Sequence, residues 1–356
     1  MRYTLSLVAL LSGMALLCGC GGSNDTNSPG PGGVKPADRI TGSGSSFVAP
    51  LMKKWAGSYN KATQLEVDYT SKGSSTGIAE MIDQKNDFGG TDAPMNEEQL
   101  KKAHEKNGEV INIPLTMGPV APFYNLPEIE KPLNFTGPIL ADIFLGKIKK
   151  WNDPALQKIN EGVKLPDIDI NVCVRADGSG TTYVWTNYLS KVSPEWKAKV
   201  GSDQLPNWPV GSNRAPKSDG MAGLVAGTKG SIGYVELNYA EGKKDLKLGA
   251  VQNKAGKFVM ASLAGTIAAA ESLKDSDIPD DLVFSMTDPE GADSYPICGV
   301  TWAMMYAKQP PDKAAALKQF FTWVLHDGQT HSKELNYAPL SKTLVERAQK
   351  KVDTLK

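Results

Sequence analysis

Apolar segments with strand character alternate with amphipathic helical segments along most of this 356-residue chain. Apolar residues recur at helical spacing over 48–59 and 314–325, whereas 65–69, 170–174 and 231–236 have the pattern of strands. Such alternation is typical of α/β proteins, in which helices cover the faces of a sheet. A single core becomes inefficient at this length, so the sequence predicts an α/β protein with two lobes.

Two further apolar segments, 111–115 and 120–124, lie on either side of the pair Gly118-Pro119. Glycine and proline mark turns more often than strand interiors. This arrangement predicts two separate strands joined by a turn.

The balance of charge and apolar content excludes two classes of protein. The chain has 39 Lys and Arg residues against 39 Asp and Glu, and 40% of its residues are hydrophobic. A nucleic-acid-binding protein usually carries a basic excess, and a disordered chain has fewer apolar residues. We therefore expect a folded protein with no nucleic-acid partner.

No pair among the four cysteines and three histidines has the C-x2-C or H-x3-H spacing of tetrahedral zinc sites, so neither a metal nor a cofactor is predicted. Two of the cysteines, Cys173 and Cys298, lie in apolar segments with strand character. The sequence leaves open whether they are two buried thiols or one disulfide.

The first 19 residues have the pattern of a secretion signal, because Arg2 precedes an apolar stretch that is too short to span a membrane. The sequence Leu-Cys-Gly-Cys at 17–20 resembles a bacterial lipoprotein signal, in which a small residue precedes the modified cysteine. This predicts removal of residues 1–19 and lipidation of Cys20. The alternative is a conventional signal cut nearby, with Cys20 free or oxidised.

Residues 20–39 are interpreted as the lipidated cysteine and a flexible tether, because Gly, Pro, Ser and Asn dominate there and apolar residues are scarce. No later segment approaches the roughly 18 apolar residues that a spanning helix needs. Lipid, rather than a transmembrane helix, is therefore expected to hold the protein at the membrane.

Three segments place Gly and Ser directly before a helical segment: Gly-Ser-Gly-Ser-Ser-Phe at 42–47, Gly-Ser-Ser-Thr-Gly at 73–77 and Asp-Gly-Ser-Gly-Thr-Thr at 177–182. A helix N-terminus presents unpaired N–H groups and a partial positive charge, and Gly allows a ligand to approach the backbone. Each loop alone is explained by helix capping and turn formation. Three such loops together predict convergence on one small anion.

Charged residues beside these loops favour a tetrahedral oxyanion as the ligand. Arg175 precedes the third loop, where its guanidinium is able to donate to two oxygens, and Asp177 is placed to orient it. Asp92 follows a segment with strand character, and a carboxylate repels an anion unless that anion has a proton to donate. This favours hydrogen phosphate over sulfate. The alternative is that Asp92 caps the helix that follows it.

Six sequence strings resemble, in the same order, those of the phosphate-binding proteins of bacterial phosphate ABC transporters, over about residues 40–345. The most specific are Arg-Ala-Asp-Gly-Ser-Gly-Thr at 175–181 and Leu-Gly-Lys-Ile-Lys-Lys-Trp at 145–151. The other four lie at 41–47, 73–77, 87–94 and 230–236.

The resemblance implies a two-lobed periplasmic-binding-protein fold of type II, in which each lobe has a mixed sheet flanked by helices and the ligand lies in the cleft. Domain I would comprise 40–118 and 298–356, and domain II would comprise 119–297. The resemblance also implies a phosphate shell, which by position consists of Ser46, the Phe47 backbone, Ser74, Asp92, Arg175, Ser179, Gly180 and Thr181, with Asp177 paired to Arg175.

The implied function is that of a monomeric, lipid-anchored extracytoplasmic receptor, which binds inorganic phosphate and delivers it to an ABC permease with its ATPase. Two alternatives are a secreted phosphatase-like enzyme with Ser46 or Ser179 as nucleophile, and a surface signalling or adhesion protein on the same fold. No histidine lies near either serine in sequence, and no Gly-x-Ser-x-Gly elbow surrounds them. The chain is therefore not expected to be an enzyme.

Replacing Cys20 with Ser should release the protein from the membrane fraction, because the acyl chains on the cysteine supply the retention. Fractionation of cells that express Cys20→Ser or the parent chain measures this. Cys173→Ser serves as a control that keeps the anchor. A Cys20→Ser protein that still sediments with membranes contradicts the lipoprotein interpretation.

Overall fold

The structure of the protein is a computed structural model that describes residues 34–240, 243 and 246–356. The predicted signal segment, Cys20 and most of the predicted tether lie outside the described residues. Among the helices of the described part, none combines the length and the apolar character that crossing a membrane requires.

The strands of the described chain form one large mixed sheet and one small sheet. They are β1 (Arg39–Gly44), β2 (Glu66–Ser71), β3 (Phe88–Thr91), β4 (Val110–Tyr124), β5 (Asn134–Phe135), β6 (Asn171–Arg175), β7 (Asn213–Ala215), β8 (Ser231–Glu236), β9 (Lys247–Leu248), β10 (Ala250–Gln252), β11 (Phe258–Val259) and β12 (Cys298–Tyr306). The large sheet has the order β2-β1-β3-β12-β4-β8-β6-β7, with β9 also paired to β4, and the small sheet has the order β11-β10-β5.

Helices alternate with these strands along most of the described chain. They are α1 (Ala49–Thr63), α2 (Ser74–Ile82), α3 (Glu97–Asn107), α4 (Gly137–Phe144), α5 (Pro154–Ile159), α6 (Gly180–Val192), α7 (Pro194–Lys199), α8 (Lys217–Gly227), α9 (Leu263–Glu271), α10 (Pro311–Leu325) and α11 (Lys342–Asp353). The helices predicted from apolar spacing are confirmed as α1 and α10, and the predicted strands are confirmed as β2, β6 and β8.

Helix α1 shows how the apolar spacing builds the core. Its buried side chains Leu51, Met52, Trp55 and Tyr59 recur at three- and four-residue intervals on one face. Burying a large apolar side chain contributes about 1.5–3 kcal/mol. The Trp55 indole N–H donates to the backbone carbonyl of Gly328 at 2.7 Å, so this buried polar atom also has a partner.

The turn predicted at Gly118-Pro119 is wrong, because β4 runs through both residues without interruption. The part of β4 up to Pro119 pairs with β12, and the part from Val120 onward pairs with β8. The strand therefore changes partner between these two residues. We refer to β1, β2, β3 and β12 as the first half of the sheet and to β6, β7 and β8 as the second half.

Gly118 and Pro119 are explained by packing and strand pairing rather than by a turn. A Cβ at Gly118 would lie 2.9 Å from the Phe47 ring, so the close approach of that ring requires glycine. Pro119 lies opposite Cys298 at the end of the β12 ladder, where a missing N–H is tolerated best. The residue types are the same as those of a turn, so sequence alone does not distinguish the two cases.

Both cysteines left open by the sequence are free and buried. Burial raises the pKa of the Cys173 thiol and of the Cys298 thiol to about 12. Buried thiols with a raised pKa are unreactive, so both residues act as small apolar parts of the core.

Gly44 ends β1 with a φ of +136°, and a Cβ there would lie 2.1 Å from the carbonyl oxygen of Gly90. Gly44→Ala should therefore lower the free energy of unfolding by more than about 2 kcal/mol, because both the backbone and the adjacent strand oppose a methyl group. Gly57 lies inside α1 and has no atom within 4 Å of its Cβ position.

Gly57→Ala is the matched control and should stabilise the protein by about 0.5–1 kcal/mol. Chemical denaturation of both variants measures the difference. Equal effects of the two substitutions would contradict this account of Gly44.

Candidate anion-binding site

The three Gly- and Ser-containing loops meet in the structure. The first lies between β1 and α1, the second precedes α2, and the third joins β6 to α6. The Ser75 N–H donates to the Gly178 carbonyl oxygen at 3.1 Å, and the hydroxyl oxygens of Ser46 and Ser218 are 2.9 Å apart. Because β1 and β6 belong to opposite halves of the sheet, these contacts join the two halves, and we refer to the place where the three loops meet as the cleft.

The Asp92 carboxyl group, which follows β3, is surrounded by hydroxyl groups and is 2% exposed. Its Oδ1 accepts hydrogen bonds from Ser45 Oγ and Thr301 Oγ1, each at 2.6 Å. Its Oδ2 accepts one from Ser74 Oγ at 3.4 Å. The interpretation of Asp92 as a helix cap is wrong, because Asn96 is the N-cap of α3.

Burial raises the pKa of the Asp92 carboxyl to about 7. The hydrogen bonds from Ser45 and Thr301 oppose this rise, the charge of Glu236 adds to it, and the charge of Arg175 opposes it. A carboxyl group with this pKa exchanges its proton near neutral pH. It accepts a hydrogen bond when ionised and is able to donate one when neutral.

Arg175, at the end of β6, places a buried positive charge beside the cleft. Its Nε and Nη2 donate to the two carboxylate oxygens of Asp177, at 2.8 and 2.6 Å. Nη1 lies 3.4 Å from Ser218 Oγ, and Nη2 lies 3.3 Å from Ser46 Oγ. Burial opposes ionisation of Asp177, but the bonds from Arg175 prevail and hold the pKa of Asp177 below its ordinary value. The pair is therefore ionised, and it fixes the plane of the guanidinium.

The third loop brings the N-terminus of α6 against Asp92. Ser179 is the N-cap of α6 and accepts the Thr182 N–H, so the capping interpretation is correct for this serine. A Cβ at Gly180 would lie 2.4 Å from Asp92 Oδ2, so only glycine allows the helix to come this close. Thr181 is buried, and its hydroxyl is hydrogen-bonded to the Glu236 carboxyl group.

The first loop is held by a hydrogen bond of its own and by two tyrosine side chains that are distant from it in sequence. The Phe47 N–H donates to Ser45 Oγ at 3.0 Å, so the structure places this predicted donor within its own loop. Tyr239 donates to the Ser46 carbonyl oxygen at 2.7 Å, and Tyr337 donates to the Phe47 carbonyl oxygen at 2.5 Å.

The structure brings Ser46, Ser74, Asp92, Arg175, Gly180 and Thr181 to the cleft, with Asp177 behind Arg175. Sequence reasoning missed four further buried residues that contact them, namely Ser45, Ser218, Glu236 and Thr301. Ser45 lies in the first loop and Glu236 ends the string at 230–236, so both were within recognised strings, whereas Ser218 and Thr301 were in none. Within the described ranges, no group of three or more His, Cys, Asp or Glu side chains is arranged to hold a metal ion.

A family profile described as "PBP superfamily domain" matches residues 29–327. The phosphate-binding protein PstS of Pasteurella multocida is 41% identical over 88% of this chain and 89% of its own length. The chain belongs to the PstS family. Another PstS relative, from the archaeon Methanocaldococcus jannaschii, is 36% identical over 91% of this chain and 89% of its own length.

Solved structures of periplasmic phosphate-binding proteins have the same fold as this PstS family member. PfluDING, a high-affinity protein solved with bound phosphate, aligns with a TM-score of 0.70 at 19% identity, over 88% of this chain and 93% of its own. The phosphate-binding protein of Stenotrophomonas maltophilia aligns with a TM-score of 0.69 at 19% identity, over 88% of this chain and 94% of its own. The predicted α/β, two-lobed periplasmic-binding-protein fold is thereby confirmed.

The buried Asp92 predicts a pH dependence of stability in the anion-free protein. Its pKa of about 7 in the folded state lies above the value of about 3.9 expected in an unfolded chain. Folding therefore favours the protonated form, so the stabilisation is complete below about pH 4 and is lost as the pH rises through about 7. The free energy of unfolding of the wild type should therefore fall by a few kcal/mol between about pH 4 and 7, and that of Asp92→Asn should not show this fall. Denaturation in phosphate-free buffer measures both.

Asp68→Asn, which changes an exposed carboxyl group on β2, is the control and should keep the wild-type profile. Parallel profiles of the wild type and Asp92→Asn would contradict the raised pKa.

Proposed function

We propose that this chain is an extracytoplasmic receptor that binds inorganic phosphate in the cleft and delivers it to an ABC permease driven by an ATPase. The observation that carries the proposal is the buried Asp92 carboxyl, whose pKa of about 7 is matched to a protonated oxyanion, beside the buried guanidinium of Arg175. Its relatives named PstS are phosphate-binding proteins.

The proposed phosphate shell combines neutral donors with a single fixed cation. Arg175 offers guanidinium N–H groups, and the hydroxyl groups of Ser46 and Ser74 lie within hydrogen-bond distance of Arg175 and Asp92 respectively. The N-terminus of α6 adds backbone N–H groups and the positive end of a helix dipole. The full proposed shell is Ser46, the Phe47 backbone, Ser74, Asp92, Arg175, Ser179, Gly180 and Thr181, with Asp177 holding Arg175.

We place the lobe boundary within one residue of the point where β4 changes partner. Domain I then comprises 40–118 and 298–356, and domain II comprises 119–297. The strand pairings support this division, because β12 pairs with the first part of β4 and β8 pairs with the second. Contacts such as that between Ser46 and Ser218 then join the two domains in the closed form.

A phosphatase-like activity is disfavoured by the surroundings of the two serines. Ser179 caps α6, and Ser46 lies beside Ser218 and Arg175. The hydrogen bonds that involve either serine in the described part of the chain include no histidine, so neither has the general base that a serine nucleophile needs. The relatives are named as phosphate-binding proteins.

We further propose that the receptor is a monomer held at the membrane by lipid on Cys20, with residues 20–39 as its tether. The lipoprotein-like end of the signal segment supports the anchor. A flexible tether of this composition and length spans roughly 20–25 Å, enough for the folded body to move above a bilayer.

Asp92 should make the protein prefer phosphate over sulfate, most strongly above its pKa of about 7. The ionised carboxylate then accepts the proton of hydrogen phosphate, whereas sulfate has no proton and faces the carboxylate charge directly. Asp92→Asn keeps the size and removes the charge. At pH 8.5 it should shift the ratio of phosphate to sulfate affinity toward sulfate by at least about tenfold, or roughly 1.4 kcal/mol, in competition calorimetry.

Arg175→Ala is the control for this experiment and should weaken both anions together, because the guanidinium does not sense the proton. Lowering the pH to 6 should narrow the wild-type preference, since a neutral Asp92 is able to donate to sulfate. An unchanged ratio in Asp92→Asn at pH 8.5 would remove Asp92 from the selectivity role, and a wild type that binds no phosphate would overturn the receptor function.

A further inference from the structure

Glu236, at the end of β8, is a second carboxyl group enclosed beside the cleft. It is 1% exposed, and its Oε1 is hydrogen-bonded to the hydroxyl of Thr181. Its Oε2 is buried and has no partner with hydrogen-bond geometry among the described residues, although the Ser218 hydroxyl is near enough to the carboxyl group to lower its pKa. A buried carboxylate oxygen without a donor is costly, whereas the carbonyl oxygen of a neutral carboxyl group costs far less.

The contact with Thr181 links the protonation of Glu236 to anion binding. The Thr181 hydroxyl has a single hydrogen to donate. If Glu236 is ionised, it only accepts, so the Thr181 hydrogen is directed to Glu236 and the hydroxyl presents lone pairs to an anion. If Glu236 is neutral, its own O–H donates to Thr181 Oγ1, and the Thr181 hydrogen becomes available to the anion.

The charged groups around Glu236 favour the neutral form when an anion is present. Burial raises the pKa of Glu236. The Thr181 hydroxyl, the charge of Arg175, the Glu236 backbone N–H and the Ser218 hydroxyl act in the opposite direction without overcoming it. Arg175 is already paired with Asp177. Asp92, Tyr239 and Tyr337 also face Glu236 and supply no positive charge. A phosphate anion in the cleft adds further negative charge, which favours a proton on Glu236.

We propose that Glu236 is a positioning residue that carries a proton in the phosphate complex, and that this proton turns the Thr181 hydroxyl toward the anion. The inference rests on the proposed phosphate-binding function. No bond other than O–H is made or broken. When the cleft is open and Glu236 is ionised, the proton comes from solvent as phosphate binds, so binding at Glu236 is coupled to the uptake of one proton.

The sign of this coupling predicts a pH profile. Phosphate affinity should fall as the pH rises above the pKa of Glu236 in the open protein, by up to about tenfold per pH unit, the slope of one coupled proton. Phosphate itself and the Asp92 carboxyl group also change protonation near neutral pH. A variant that retains both of these groups and removes only the Glu236 titration is therefore the required comparison.

Glu236→Gln supplies that comparison, because the Gln side-chain amide donates to Thr181 Oγ1 at every pH. Phosphate dissociation constants of the wild type, Glu236→Gln and Glu236→Ala are measured by calorimetry from pH 6 to 9, in buffers of different ionisation enthalpy to count protons. At pH 6 we expect the wild type and Glu236→Gln to agree within about threefold and Glu236→Ala to be at least tenfold weaker. At pH 9 we expect the wild type to be at least tenfold weaker than Glu236→Gln, with the proton uptake absent from that variant.

A constant ratio of wild-type to Glu236→Gln affinity from pH 6 to 9 overturns the inference, and so does an equal loss in the Gln and Ala variants. If the Glu236 variants do not fold, infrared difference spectra of Asp92→Asn with and without phosphate test whether Glu236 is protonated in the complex. A protonated-carboxyl band in its phosphate complex at pH 8.5 supports the inference, and its absence overturns it. Phosphate binding without this coupling leaves the receptor function intact, whereas a wild type that binds no phosphate overturns the proposed function itself.

Discussion

A carboxyl group removed from water, as that of Asp92 is, has to find its hydrogen-bond donors within the protein. Asp92 finds them in Ser45, Ser74 and Thr301, which come from the end of β1, the start of α2 and the middle of β12. These elements are far apart in sequence and are brought together only by the order of strands in the first half of the sheet. The chemistry of the cleft thus depends on the position of β3 between β1 and β12.

The strand β4 imposes the matching constraint on the second half of the sheet. Because it pairs with β12 up to Pro119 and with β8 from Val120 onward, one continuous strand connects the two sides of the cleft. The distance between the α6 N-terminus and Asp92 is limited by the size of the residues that lie where the two halves meet. Gly180 and Gly178 leave out side chains at two close approaches, where a Cβ would lie 2.4 Å from Asp92 Oδ2 and 2.1 Å from Ser75 Oγ.

Local sequence predicts those parts of the fold and the site that local physics decides. Helical spacing predicted α1 and α10. The position of three Gly- and Ser-containing loops at helix starts predicted their convergence, and Arg175 was predicted from its place at a strand end, whereas Ser46 and Ser74 were implied by the family resemblance. The turn at Gly118-Pro119 was wrong because the Phe47 ring, distant in sequence, is what requires the glycine. Thr301 and Ser218 lie in no recognised string, because each reaches the cleft through strand order or helix packing. Glu236 lies in the string at 230–236, but its contact with Thr181 depends on packing between elements that are distant in sequence.

The burial of the site residues limits which phosphorus compounds the proposed site is able to bind. Asp92, Arg175 and Ser46 are each no more than 3% exposed, so the closed protein surrounds its ligand on every side that these residues face. A phosphate ester would have to accommodate its organic group within this enclosure, among polar side chains that contact one another at hydrogen-bond distance. The proposed site therefore favours the free anion over its esters. Under the proposed function, phosphorus in organic esters would reach this receptor only after hydrolysis outside the membrane.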